Sequence, residues 1–343
     1  MHRVTAIVKT TDFDYHLPPE LIAQTPVEPR DSSRLLVVHR DTGTLEHRIF
    51  RDIVRYLRAG DLLVCNDSRV IPARIYGRKA GTGGKVEVLL VAKRGPQTWE
   101  ALVRGRRIRE GGTLVFGEAL EARVIAITES GGRILEFAEP VEPHLESLGV
   151  IPLPPYIHEP LRDPDRYQTV YARVQGSVAA PTAGLHFTPA LLDAVLAMGC
   201  ELAFVTLHIG MDTFRPIGEE HIEEHRIHTE WCEVKSEVAE RIRAAKAEGR
   251  RVIAVGTTVV RALETAAQSG VAQPYSGPTG LYIYPGYTFR AVDVMITNFH
   301  LPRSTLLLLV SAFAGKDLID RAYQEAIRER YRFYSFGDAM LIL

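Results

Sequence analysis

Apolar and polar positions alternate along this 343-residue chain in two rhythms. Near the start and through the last half, short apolar runs read as buried strands: Leu35–His39, Leu62–Cys65, Glu201–Leu207, Val252–Val255, Ala291–Ile296 and Ala339–Leu343. Between them the apolar spacing becomes helical, with Leu191, Leu192, Val195 and Leu196 on one stripe and Val238, Ile242 and Ala245 on another. Thr188-Pro189 and Ser236 stand where hydroxyl caps belong, and Gly199 and Gly249 where helices stop. A further helix runs from Gly256 through Ala267, two more precede the last strand, and Asp52–Leu57 leans toward helix before Gly60. Strands alternating with helices predict an α/β fold, a mostly parallel sheet flanked by helices.

From Arg69 to about Val150 the rhythm is period two throughout. Val86–Val91, Trp99–Val103, Thr113–Phe116, Ala122–Ile127 and Arg133–Phe137 are short alternating runs, punctuated by the glycines of GTGGK, EGGT and ESGGR. This pattern predicts an inserted all-β, barrel-like domain over residues 69–151. The α/β domain is then discontinuous, residues 1–68 plus 152–343, with the proline-rich stretch Ile151–Arg166 as the extended return.

Composition adds exclusions. With 46% hydrophobic and 24% charged residues the chain reads as a globular protein, and its formal charge of −1 points to no polyanion partner. Cys65, Cys200 and Cys232 form no CxxC or Cys/His ligand spacing, which argues for a reducing compartment and no structural zinc. No signal-peptide core precedes Phe13, and the apolar run at Leu306–Val310 is too short to span a bilayer, so a cytoplasmic protein without a membrane partner is expected. The near-neutral total hides a division, however. Arg69–Thr113 carries eleven Lys/Arg against three Glu, a net +8, whereas Leu114–Val150 carries two Arg against seven Glu, a net −5. A basic half-domain of this kind attracts phosphates unless it is simply a solvated face.

Candidate chemistry gathers at strand ends. In parallel sheets these face a common crevice. Leu62–Cys65 delivers Asn66, Asp67, Ser68 and Arg69, for which the structural reading is an Asx turn with Arg69 paired to Asp67. Later strands deliver His208-Gly210-Asp212, Gly256-Thr257-Thr258-Arg261 and Asn298-His300-Arg303-Ser304. The loop Gly176–Pro189 (GSVAAPTAGLHFTP) adds Ser177, Thr182 and His186 beside a helix start. Gly256-Thr257-Thr258 can offer amides and hydroxyls to an anion, but P-loop lysine and GxGxxG spacing are both missing. HIEEH at 221–225 does not follow the HExxH order and no GxSxG elbow occurs, so zinc hydrolysis and covalent serine chemistry are disfavoured.

Taken in order, the stretches DFDYHLPPELIAQTP, NDSRVIPARIYG, GSVAAPTAGLHFT, VTLHIGMDTFRP, VIAVGTTVVRALE, TNFHLPRSTLLLLVSAFAG and YSFGDAMLI resemble the S-adenosylmethionine:tRNA ribosyltransferase-isomerases of queuosine biosynthesis. The resemblance runs from about Lys9 to the C-terminus and leaves Met1–Val8 as a peripheral extension. It implies an α/β domain with an inserted barrel and a tRNA partner whose wobble position carries 7-aminomethyl-7-deazaguanine. S-adenosylmethionine is consumed as a substrate: its ribosyl unit moves to the exocyclic amine and is isomerised, giving epoxyqueuosine tRNA, adenine and methionine. Neither a further cofactor nor a metal is implied.

A base must remove the proton acidified by the sulfonium, and His186 or Asp67 is expected there, with His300 also catalytic. Gly256, Thr257, Thr258 and Arg261 would hold the methionine end. Asn298, His300 and Arg303 would face ribose, adenine or the flipped nucleotide, with Thr182 and His208 completing the substrate contacts. Asn66 and Arg69 would reach the tRNA backbone, and Arg104, Arg106, Arg107 and Arg109 would dock the tRNA. Two other readings compete: a non-catalytic RNA-binding protein with a barrel module, and an S-adenosylmethionine-dependent tRNA methyltransferase.

Overall fold

The structure is a computed structural model and describes residues 8–128, 131–210 and 216–343. The chain divides into two compact units, one of Met1–Ser68, Pro154–Val174 and Pro181–Leu343, the other of Arg69–Leu153 and Gln175–Ala180. In the first unit β1 (Arg34–Val38) and β2 (Leu45–Ile49) form a hairpin, followed by β3 (Leu62–Asn66). Through β4 (Ser68–Val70) the chain enters the second unit, built from β5 (Arg74–Lys79), β6 (Lys85–Lys93), β7 (Thr98–Arg104), β8 (Thr113–Phe116), β9 (Leu120–Ile127) and β10 (Arg133–Phe137). A short helix α1 (Leu145–Leu148), β11 (Gly149–Val150) and β12 (Val174–Ser177) come next. The first unit then resumes with α2 (Pro189–Ala197), β13 (Glu201–Leu207), β14 (Glu230–Val234), α3 (Ser236–Ala247), β15 (Val252–Val255) and α4 (Thr257–Ala266). It ends with β16 (Tyr275–Thr279), β17 (Val294–Asn298), α5 (Thr305–Ala314), α6 (Lys316–Arg328) and β18 (Ala339–Ile342).

The sheet of the first unit has nine strands in the order β16-β14-β13-β3-β15-β17-β18-β1-β2. Its centre, β13-β3-β15-β17, is parallel throughout, which matches the four apolar runs read as buried strands. Antiparallel neighbours lie outside that quartet, so the sheet as a whole is mixed. On one face Leu63, Cys65, Ile253, Val255, Val294 and Ile296 pack against Phe187, Leu191 and Val195 of the α2 segment. Burying a leucine or isoleucine side chain of this kind stabilises by roughly 1.5–3 kcal/mol, so this layer holds the strand ends in place. In the second unit β5-β6-β7-β10-β9-β8 closes on itself through β5–β8, a six-stranded antiparallel barrel. Strand β9 alternates buried and exposed positions, as a strand with one face toward a barrel interior must.

Local expectations fare unevenly. The Thr188 hydroxyl accepts from the Leu191 amide at 3.1 Å, as the Thr-Pro pair predicts. Ser236 does not cap: Lys235 occupies the N-cap position and Ser236 is the first helical residue, without a side-chain cap. The helical stretch near Asp52 is a 3₁₀ helix, Phe50–Tyr56. Strand β17 lies at Val294–Asn298, displaced toward the C-terminus from the predicted run. Strands β14 and β16 are additions. EWCEV carries two glutamates in five residues, and YSGPT carries an internal Gly-Pro, both weak strand signals.

Candidate active site

Because β13, β3, β15 and β17 run parallel, their C-terminal ends lie on one edge of the sheet, separated successively by about 4.8 Å. Side chains alternate between faces, so the predicted residues divide. Asp67 and Asn298 continue the parity of Cys65 and Ile296 and emerge on the α2 face, where the loop before α2 supplies Thr182 and His186. Asn66 emerges on the opposite face, toward Thr258 and α4.

On the α2 face, Asn298 is the centre of a buried network. Its amide nitrogen donates to the Tyr334 carbonyl at 3.2 Å and meets His186 Nε2 at 3.1 Å, while its Oδ1 accepts from Thr182 Oγ1 at 3.3 Å. With the Asn298 amide as donor, Nε2 is the unprotonated nitrogen, and Nδ1–H donates to Ser33 Oγ at 2.7 Å. The ring stacks on Phe50 at 4.9 Å. Burial, then the charges of Arg30 and Arg332, lower the His186 pKa to about 3, so the imidazole is neutral and both nitrogens are engaged. The loop reaches this position because Gly184 passes Tyr171 closely: a Cβ there would lie 2.1 Å from the tyrosine oxygen.

Toward β13, Asp67 Oδ1 accepts from Thr206 Oγ1 at 2.7 Å, and Oδ2 accepts from Arg173 Nη2 at 2.8 Å and Nε at 3.2 Å. Its guanidinium partner is therefore Arg173 rather than Arg69. The Asx turn itself is present, with the Ser68 amide donating to Asn66 Oδ1 at 3.0 Å. A pocket of about 120 Å³ opens beside Asp67, with Arg173, Phe204 and Thr206 in its lining. His208 stacks on Trp231 at 5.5 Å, its Nδ1 is 3.4 Å from Ser68 Oγ, and burial lowers its pKa against the opposing effect of Asp67.

On the other face Asn66 donates to the Leu207 carbonyl at 2.9 Å and to Thr258 Oγ1 at 3.3 Å. Gly256 holds φ +101° where β15 turns into α4, and its amide is used by the Ile296 carbonyl at 2.8 Å. The amides of Thr257 and Thr258 follow, first-turn donors with no partner inside the helix. Arg261 differs from the expectation. Its guanidinium is buried in an ion pair with Glu230 and also donates to the carbonyls of Leu281 and Thr279, so it is not a free clamp for an incoming carboxylate. Glu230 also accepts from the Gly210 amide at 3.0 Å and lies 3.2 Å from His228 Nε2. Burial would raise the Glu230 pKa, but Arg261, His228 and Gly210 outweigh it and hold it at about 2.

His300 also departs from expectation, because it is a core histidine. Its Nε2 pairs with Thr297 Oγ1 at 3.1 Å and its Nδ1 with Tyr323 at 3.3 Å, Tyr15 donates to its carbonyl, and burial lowers its pKa to about 3. Arg303, at φ +53°, pairs with Asp14 at 3.2 Å. Asp212 and Met1–Ile7 lie outside the described residues. Among the described residues no group of three His, Cys, Asp or Glu could hold a metal ion, and His225 of HIEEH instead meets Glu219 at 2.9 Å. Among the described residues no helix is long and apolar enough to cross a membrane.

In the barrel unit, Arg104 at the end of β7 and Arg106, Arg107 and Arg109 on the segment joining β7 to β8 are all exposed. Arg107 sits at φ +54°, and Lys79 donates to the carbonyls of Arg106 and Arg107. Arg69 begins this unit.

Sequence reasoning passed over Ser33, Phe50, Glu230, Trp231 and Arg173 as site neighbours. Only Trp231 had a signal: it shares the polar parity of EWCEV, opposite Cys232 and Val234.

A family model described as Queuosine biosynthesis protein matches residues 10–342. The chain is 59% identical to the S-adenosylmethionine:tRNA ribosyltransferase-isomerase of Moorella thermoacetica over 342 residues, covering 98% of this chain and 100% of the relative. It is 56% identical to the protein of that name from Symbiobacterium thermophilum over 341 residues, with 98% and 100% covered. Among solved structures it is similar to S-adenosylmethionine tRNA ribosyltransferase from Thermotoga maritima, with a TM-score of 0.57, 45% identity, and 97% of this chain and 100% of that one covered.

Proposed function

The chain belongs to the queuosine biosynthesis protein family, and from that membership we propose how its strand-end residues carry out S-adenosylmethionine:tRNA ribosyltransferase-isomerase chemistry. The observation that carries the activity is the match itself, 59% identity covering 98% of this chain and the whole of the relative. The ribosyl unit of S-adenosylmethionine passes to the amine of 7-aminomethyl-7-deazaguanine at the tRNA wobble position and is isomerised, giving epoxyqueuosine tRNA and releasing adenine and methionine. S-adenosylmethionine is spent as a substrate, and the reading calls for no other cofactor or metal. A cytoplasmic address, where tRNA is found, goes with it.

The sulfonium acidifies the neighbouring ribose carbon, and a positioned base there contributes typically 10²–10⁴-fold. Asp67 suits that role better than His186. It lines an open pocket, and Thr206 and Arg173 fix its orientation. The Nε2 lone pair of His186 is already taken by Asn298. His186 therefore acts as a positioning residue, orienting Asn298 and Thr182 toward ribose or adenine. Asn66, His208 and the Gly256–Thr258 turn supply further contacts along the same edge. The exposed arginines at 104, 106, 107 and 109 give the tRNA a salt-sensitive docking surface.

Mass spectrometry of precursor tRNA incubated with the protein and S-adenosylmethionine tests the reading. Modified tRNA with stoichiometric adenine and methionine is expected. S-adenosylhomocysteine as product would establish a methyltransferase instead, and unchanged substrates would leave an RNA-binding protein.

A further inference from the structure

We propose that the pocket between β13, β14 and the start of α3 holds the α-amino-acid end of S-adenosylmethionine, with its ammonium at Glu233 and its carboxylate at Lys235 and Arg173. This deepens the proposed function and rests on it.

Thr206 and Glu233 stand directly opposite each other in the β13–β14 ladder, so their side chains share a face. Lys235, two residues beyond Glu233, closes the pocket of about 120 Å³ with Glu237 on the first turn of α3. Phe204 supplies an apolar wall, and the guanidinium of Arg173 lies 5.1 Å from its ring. Charges in the lining fall into two groups. Asp67 is paired with Arg173, and Arg241 with Glu201 at 2.8 Å. Glu233, Glu237 and Lys235 have no side-chain hydrogen bond or ion pair among the described residues. A half-buried carboxylate without a partner is costly.

The charge these three leave over is −1. S-adenosylmethionine, with an ammonium, a sulfonium and a carboxylate, carries +1 and presents both signs of charge from a single carbon. A lone phosphate or a simple cation would satisfy only half of such a lining. Arg261 is buried on Glu230 and Arg303 pairs with Asp14, both outside the pocket, whereas Arg173, though it holds Asp67, keeps a side chain 61% exposed in the lining.

Position agrees with charge. Asp67 belongs both to the pocket and to the α2 face of the sheet, so a ligand anchored at Glu233 and Lys235 brings its sulfonium toward that carboxylate. From β13 to Asn298 on β17 is three strand spacings, roughly 14 Å, leaving ribose and adenine to run along the edge toward Thr182 and Asn298.

Calorimetry of S-adenosylmethionine and of L-methionine binding, without tRNA, tests the assignment in wild type, Glu233→Gln, Lys235→Gln and, outside the pocket on α3, Glu240→Gln. Each pocket variant is expected to weaken both ligands about tenfold, the loss of one charged hydrogen bond, and Glu240→Gln to leave them unchanged. Analogues separate contact from mere disturbance. Decarboxylated S-adenosylmethionine should bind Lys235→Gln as well as wild type, and a deaminated analogue should not distinguish Glu233→Gln from wild type. Unchanged affinity in both pocket variants, or equal losses for ligands with and without the charged group, would overturn the proposal. Adenine release by the wild type with tRNA is read in parallel. Its absence would count against the enzymatic reading, while methionine affinity still reports on the pocket.

Discussion

The buried pair Glu230–Arg261 allows a quantitative test. Its side chains are 2% and 6% exposed, and Glu230 is held at about pKa 2 against an ordinary 4.5. A carboxylate held this far below its ordinary value adds folding free energy on the order of a few kcal/mol. Removing one partner of a buried pair, which strands the other charge, typically costs about 3–5 kcal/mol. Glu230→Gln, nearly isosteric, should therefore destabilise the α/β unit by about 3 kcal/mol at pH 7.

The folded-state pKa lies below the unfolded one, so this contribution is complete above about pH 4.5 and is lost as pH falls toward 2. The gap between wild type and variant should narrow over the same range. Urea unfolding followed by Trp231 fluorescence in a Trp99→Phe background reports the α/β unit alone, since Trp99 sits in the barrel strand β7. Replacing both partners, Glu230→Met with Arg261→Met, should recover part of the loss, because neither charge of the pair is left stranded, while the Gly210 amide and the Leu281 and Thr279 carbonyls give up their partners. A single-variant cost below about 1 kcal/mol, or a double variant as unstable as the single, would refute the reasoning.

Four further outcomes are expected. Reversing Arg104, Arg106, Arg107 and Arg109 to glutamate should weaken tRNA binding and lower the salt slope by roughly three to four, measured by anisotropy across a salt series; an unchanged slope would move docking off this loop. Asp67→Asn keeps an acceptor for Thr206 but no base, so adenine release should slow by about 100-fold or more, and near-wild-type turnover would remove Asp67 from the base role. The His186 imidazole resonances should keep neutral shifts from pH 8 down to 5, given a pKa of about 3, and a midpoint above pH 5 would contradict its burial. Gly184→Ala must push a Cβ into Tyr171 and Thr169 and should lower stability by about 1–3 kcal/mol in thermal unfolding.

The parts of this molecule that sequence reveals are those written in adjacent residues. Thr188-Pro189 announces a helix start because a hydroxyl cap and a fixed φ act within one turn, and the four apolar runs announce the parallel centre because both their faces are buried. Strand-end polar residues can be read as a group for the same reason. Their division between faces follows from parity, but only once the strand limits are fixed to the residue, and β17 is shifted from its predicted position. What distant residues do to one another leaves no local trace. Glu230 takes Arg261 out of reach from 31 positions away, and Tyr323 closes off His300 from 23. Trp231 and Glu233 belong to a strand whose five residues carry two glutamates, with Lys235 just past its end, so hydrophobicity alone passes over it.

The order of strands in the nine-stranded sheet has a consequence for synthesis. Strand β3 ends at Asn66, but its two neighbours, β13 and β15, begin at Glu201 and Val252, and β1 waits for β18 at Ala339–Ile342. At about 5–20 residues per second, the 134 residues between Asn66 and Glu201 keep Leu62–Cys65 without its first partner for roughly 7–27 s. The six barrel strands are completed within that interval, since they end at Phe137. On the ribosome the inserted unit can thus close while the strand that will carry Asn66 and Asp67 is still an uncovered apolar segment. Strand β3, buried near the middle of the finished sheet, depends on shielding by other means until β13 is made.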